Sequence, residues 1–126
     1  MAEVLIVDDN LPMVEMLATV LELLGHTARP ATSGEQGLAE IARHRPDIVL
    51  LDWMMPGIDG CETLRRLRRM PGCDSLPVVV VTAAPDRELD VKVELAGGHA
   101  CVRKPIDMEA LADLIAFYAP AAAAVA

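Results

Sequence analysis

The chain has no apolar run that approaches the roughly 18 residues a membrane helix needs. Its opening, MAEVLIVDDN, lacks a basic leader. Positive charge is scarce, with 11 Lys and Arg against 19 Asp and Glu and a formal charge of −8. That balance excludes binding to DNA or RNA mainly by phosphate neutralisation, and attraction to an acidic membrane surface. Cysteines are few and odd in number, and Cys61, Cys73 and Cys101 form no C-x-x-C pair. They are expected to be free thiols in a reducing compartment, with no disulfide framework. Neither G-x-x-x-x-G-K nor G-x-G-x-x-G occurs, so the phosphate-cradling loop of a nucleotide- or flavin-binding α/β enzyme is missing. Polar low-complexity tracts are absent too, and 53% of the residues are apolar, which excludes a mostly disordered chain. The expectation is one acidic, cytoplasmic domain, since 126 residues bury one core but not two.

What is present alternates between two kinds of segment. Val4–Val7, Ile48–Leu51 and Val78–Val81 are continuous apolar runs without polar alternation, as expected of strands buried on both faces of a parallel sheet. Two weaker strands are expected at His26–Pro30 and Ala100–Arg103, the first on a sheet edge because Pro30 cannot donate to a ladder. Helical spacing lies between them. Met13, Met16, Leu17, Val20, Leu21 and Leu24 predict a first helix ending before Gly25. Ser33 and Gln36 predict a capping box opening a second helix that turns Leu38, Ile41 and Ala42 inward. Further helices are expected near Gly60–Met70, Asp86–Ala96 and Asp107–Tyr118. Five β-α repeats call for a doubly wound α/β fold with helices on both faces. Residues 1–119 make the domain, and the alanine-rich residues 120–126 read as a tail or linker stub.

Ligands of such sheets bind at the carboxyl ends of the strands. Those ends deliver Asp8-Asp9, Asp52, Thr82-Ala83 and Lys104-Pro105. Singly, an acid after a strand is a turn or cap residue and a lone lysine a surface charge. Together they crowd three carboxylates, a hydroxyl and an ammonium onto one rim. Crowded carboxylates repel and their pKa values rise, and a hard divalent ion such as Mg²⁺ relieves that repulsion.

The runs V-L-I-V-D-D-N, D-I-V-L-L-D-W-M-M-P-G-I-D-G, P-V-V-V-V-T-A and V-R-K-P, in this order and spacing, resemble the receiver domain of bacterial two-component response regulators, of the single-domain chemotaxis type. The resemblance covers roughly residues 3–119. It implies a flavodoxin-like five-stranded sheet in the order 2-1-3-4-5. Asp52 would be the phosphoacceptor, fed by the phosphohistidine of a sensor histidine kinase or histidine phosphotransfer protein. Asp9 and Asp52 would ligate Mg²⁺ directly, Asp8 would act mainly through water, and the Met54 carbonyl would complete the set. Lys104 would pair with a phosphoryl oxygen, and Thr82 would donate its hydroxyl to another. The Lys104–Pro105 bond would be cis, and Ala83 would leave room for the phosphodonor. The phosphoryl group would add about −1.5 to −2 charges and shift a two-state surface around the fourth helix, fifth strand and fifth helix. The chain would be a signalling switch rather than an enzyme in its own right. Its output would pass through an unknown downstream protein, with no direct nucleic-acid or membrane contact.

The sequence departs from this pattern at Cys101, where the family has Tyr or Phe, so the aromatic rotamer switch is missing. Cys101 reads as a small packing residue on an edge strand. Ile106 stands where Phe is common, and the fifth helix lacks the basic residues that pair receivers in several DNA-binding regulators. Met54 and Ala84 cannot orient a water, which predicts a long-lived acyl phosphate. Arg65, Arg66, Arg68 and Arg69 read as a solvated helix face, Trp53 as partly exposed at the site, and His26, His44 and His99 as surface or turn residues. Gly57 and Gly60 are assigned backbone roles. Three rival readings remain: a pseudo-receiver binding without phosphorylation, the amino-terminal part of a longer regulator, and a flavodoxin-like nucleotide or flavin enzyme.

Overall fold

The computed structural model describes residues 1–119, so the predicted tail at 120–126 lies outside the described residues. Five strands, β1 (Glu3–Val7), β2 (Thr27–Ala31), β3 (Ile48–Leu51), β4 (Val78–Thr82) and β5 (Ala100–Arg103), form one parallel sheet in the order β2-β1-β3-β4-β5. Each of the first four is followed by a helix: α1 (Leu11–Leu23), α2 (Gly34–Arg43), α3 (Gly60–Arg69) and α4 (Leu89–Ala96). The fifth helix, α5 (Met108–Tyr118), follows β5. This is the expected fold. Among the described residues no helix is long and apolar enough to cross a membrane.

The continuous apolar strands divide between two cores. Val4, Ile6, Ile48, Leu50, Val79 and Val81 face α1 and α5, joining Leu17, Leu21, Leu111 and Ile115. Leu5, Val7, Val49, Leu51 and Val78 point the other way, onto Ile41 of α2 and Leu64 and Leu67 of α3. Val80 packs with Leu89 and Val93 of α4. Period-two alternation of side chains sends both sets into apolar surroundings. Each such side chain, fully buried, contributes about 1.5–3 kcal/mol.

Helix starts follow their caps. Asn10 Oδ1 accepts from the Met13 N–H, Asp59 Oδ1 from Glu62 and Asp107 Oδ1 from Glu109 and Ala110. Ser33 Oγ accepts from the Gln36 N–H as expected, while the Gln36 side chain reaches back to Thr32 rather than Ser33. Four expectations need correction. In α1 the buried stripe is Val14, Leu17 and Leu21, whereas Met16 and Leu24 lie in solvent. Ala42 is exposed, and Gly34 and Gly37 share the buried side of α2 with Ile41. Helix α4 begins at Leu89 rather than Asp86, because Asp86 Oδ1 accepts from the Glu88 N–H in a turn before the helix. Strand β2 runs one residue later than expected, since the His26 N–H donates to the Leu21 carbonyl of α1 at 3.0 Å and is not free for the ladder. Pro30 sits on that edge strand and is exposed, as its missing donor requires.

Candidate functional site

In this strand order β1 and β3 are neighbours whose connections leave to opposite faces, which opens a crevice at their carboxyl ends. Asp8 and Asp9 follow β1 and Asp52 follows β3. Oxygens of the three carboxylates all lie within 4.8 Å of one another. Asp8 and Asp52 are 5% and 7% exposed, while Asp9 is open to solvent. Asp8 Oδ1 accepts from the Asn10 N–H at 2.9 Å, and Asp52 Oδ1 accepts from the Met54 N–H at 3.3 Å.

Lys104, from the end of β5, reaches this crevice. Its Nζ donates to Asp8 Oδ2 at 2.9 Å and lies 3.8 Å from Asp52 Oδ2. Thr82, 1% exposed at the end of β4, accepts the Ala84 N–H at 3.2 Å and its hydroxyl also favours the ionised form of Asp52. Even so, burial and the neighbouring Asp8 carboxylate push the Asp52 pKa above the ordinary carboxylate value. The pull of Lys104, Thr82 and the Met54 N–H does not offset them. One ammonium among three carboxylates leaves the pocket short of positive charge. A hard, all-oxygen donor set open on the Asp9 side fits a small divalent cation that keeps several of its waters.

These are the residues the sequence placed on one rim, and the comparisons decide what that rim belongs to. The family model for the response regulator receiver domain matches residues 4–116. The chain belongs to that family. It is 36% identical over 116 residues to Protein PilH of Pseudomonas aeruginosa, covering 91% of this chain and 95% of that protein. It is also 36% identical over 102 residues to the phosphate regulon transcriptional regulatory protein PhoB of the same organism. There the match covers 81% of this chain but 44% of PhoB, so the chain spans less than half the length of that regulator. Chemotaxis protein CheY4 of Vibrio cholerae superposes with a TM-score of 0.87 at 25% identity, over 94% of this chain and 98% of that one. Receiver domains bind Mg²⁺ at an acidic pocket, work as signalling switches and interact with histidine kinases or phosphotransfer proteins.

The remaining expected residues of the receiver have definite places. Met54 is exposed beside Asp52, and Ala83 is exposed between the buried Thr82 and Ala84. The Lys104–Pro105 bond is cis. Cys101 is half-buried on the edge strand β5, packed on the cluster of Val80, Leu89 and Val93. Burial pushes its thiol pKa up and Asp90 accepts its hydrogen bond, the reverse of a reactive thiolate. Trp53 is half-buried next to Asp52. Gly57 has φ +77°, and a Cβ on Gly60 would lie 2.5 Å from the Asp52 carbonyl oxygen, so α3 starts in direct contact with the Asp52 backbone.

Sequence reasoning missed two arginines, Arg103 near the site and Arg68 at the far end of the sheet. Arg103 donates to the carbonyls of Ala84 at 2.8 Å and Asp86 at 3.0 Å, tying β5 to the loop after Thr82. Arg68, expected in solvent, is half-buried and donates to the carbonyls of Gly97, Cys73 and Leu76. No local pattern announces either role, because the partners are backbone groups of other segments.

Proposed function

We propose that this receiver is a phosphorylation-controlled switch. In it Asp52 takes the phosphoryl group of a phosphohistidine on a sensor histidine kinase or histidine phosphotransfer protein in the cytoplasm. The observation that carries this reading is the convergence of Asp8, Asp9, Asp52, Thr82 and Lys104 on the β1–β3 crevice. An Asp52 carboxylate oxygen attacks phosphorus. The new O–P bond forms as the P–N bond breaks, and the electron pair leaves on the imidazole nitrogen. Asp9 and Asp52 would hold Mg²⁺ directly, with Asp8 through water and the Met54 carbonyl beside them. When bound, the ion supplies neutralising charge to the transferring phosphoryl oxygens.

The chain's own residues do the rest. Lys104 Nζ, bonded to Asp8 and 3.8 Å from Asp52, exchanges that partner for a phosphoryl oxygen. Thr82 turns its hydroxyl to a second oxygen, and the loop that Arg103 holds follows it. The exposed Ala83 keeps the approach to Asp52 open, and Cys101 leaves the β5 edge without an aromatic. Met54 and Ala84 offer no group to orient an attacking water, which supports a long-lived acyl phosphate. Output then passes by protein contact from a domain occupying residues 1–119. A shift from mostly inactive to mostly active takes about 3–5 kcal/mol, within reach of a few charge-assisted hydrogen bonds.

Intact-mass spectrometry after incubation with acetyl phosphate and Mg²⁺ tests this reading. One phosphoryl adduct is expected, lost with EDTA and in Asp52→Asn. No adduct on the wild-type protein at short quench times would leave a binding module that works without phosphorylation.

A further inference from the structure

The arginines of α3 are more than a solvated face. Arg68 is turned to backbone carbonyls, while Arg65, Arg66 and Arg69 remain in solvent. Arg66 is paired with Glu62 at 2.8 Å, and Arg65 and Arg69 form no ion pair among the described residues. Beside them, between α3 and α4, runs a groove of about 330 Å³ lined by Trp53, Cys61, Arg65, Lys92, Leu95 and Ala96. Cys61 and Arg65 line it from α3, and Arg69, one turn beyond Arg65, continues their ridge past the lining. On the opposite wall Leu95 is 82% exposed, and Val91, one turn earlier on α4 and outside the lining, is 57% exposed. Among the described residues Lys92 pairs only with Asp86, an exposed contact of little net value and open to exchange.

An apolar floor with a half-buried tryptophan, flanked by cations in a chain of net charge −8, has a definite complement. We propose that the α3–α4 groove docks an acidic amphipathic segment of a partner protein. Its apolar side chains rest on Trp53, Leu95 and Ala96, and its carboxylates face Arg65, Arg69 and Lys92. Nucleic acid is the weaker match. Two unpaired arginines neutralise few phosphates in a chain of net charge −8, and Leu95 and Val91 would be left against phosphate. The groove also touches the site. Trp53 directly follows Asp52, and the first residue of α3 abuts the Asp52 carbonyl. A segment seated there therefore bears on the backbone of the carboxylate itself. Docking does not depend on phosphorylation, so it is tested on the unmodified protein.

Trp53 is the single tryptophan and reports on its own groove. The probe is a short synthetic helical peptide with Leu at i, i+3, i+4 and i+7 and Glu elsewhere, beside a twin carrying Lys for every Glu. The acidic peptide should change Trp53 emission saturably and shift amide resonances of α3 and α4, with the Lys twin at least about tenfold weaker. Arg65→Glu with Arg69→Glu should reverse that preference, and Leu95→Asp should remove binding of both. All three positions are exposed, and circular dichroism checks that the fold is kept. Equal binding of the two peptides, binding that survives the arginine reversal, or no saturable change would overturn the proposal. So would displacement of the peptide by a single-stranded oligonucleotide.

Discussion

The two ends of this sheet use polar side chains in opposite ways. At the amino-terminal end many are matched to backbone, beside the pairs that Glu3 makes with Arg29 and His44. His26 Nδ1 accepts the Ala2 N–H, Asp47 Oδ2 the Glu3 N–H and His99 Nδ1 the Val78 N–H, while Arg68 donates to three carbonyls and Tyr118 to the His99 carbonyl. At the carboxyl-terminal end the charges are matched mostly to one another. Asp8, Asp9 and Asp52 crowd together and Lys104 alone bridges two of them. The first arrangement leaves little to react, because His26, Asp47, His99 and Arg68 are already committed to backbone partners. The second keeps an unbalanced field in which Asp52 holds its proton too firmly for an ordinary carboxylate. One end holds the fold and the other is left available for chemistry.

Paired substitutions separate these roles most sharply. Asp52→Asn should abolish the acetyl phosphate adduct while leaving urea stability unchanged or raised, because it removes a buried carboxylate from beside Asp8. Arg68→Ala should do the opposite. Three carbonyls lose a charged donor, and the unfolding free energy should drop by about 3 kcal/mol in a urea titration, while the adduct still forms. If Arg68→Ala lost the adduct without losing stability, the division between the two ends would fail.

Magnesium gives the next effect. At about one hundred times its dissociation constant it should raise the unfolding free energy by about 2.7 kcal/mol. Arg68→Ala should keep that increment and Asp9→Asn should lose most of it, both read from thermal melts.

The smallest effect belongs to the amino-terminal end. Burial lowers the pKa of His26 and of His99, with the terminal ammonium adding to the first and Arg68 to the second. The unfolded chain therefore takes up protons near 6.5 while the folded one still resists. Stability is full above that pH and declines as pH falls through it, because a protonated ring can no longer accept the Ala2 or Val78 N–H. Urea midpoints at about pH 7.5 and about pH 5.5 should differ, and His99→Asn should reduce the difference to the share of His26.

How much was legible varies with how local the cause is. The buried strands declared themselves because a run such as Val78–Val81 has no polar position to turn outward. The stripe of α1 did not. Met13, Val14, Met16, Leu17, Val20, Leu21, Leu23 and Leu24 are more apolar residues than one face can bury, so only docking on the sheet chose Val14, Leu17 and Leu21. The start of α4 was misplaced because Asp86 makes a good cap in isolation, but its carboxylate is engaged by Glu88 and Lys92 in the turn before the helix.

The sequence by itself determined which residues stand at the strand ends, and with them the carboxylate, hydroxyl and ammonium chemistry of the rim. Strand tips are set by where an apolar run stops, and that is a local fact. Only the tertiary structure decided that Lys104 rests on Asp8, 96 positions earlier in the chain, and that Asp52 is held above its ordinary pKa. It alone turned Arg68 from solvent to three carbonyls and left Arg65 on the wall of an open groove. Each of these depends on distances between segments far apart in sequence, and on the water that their packing excludes.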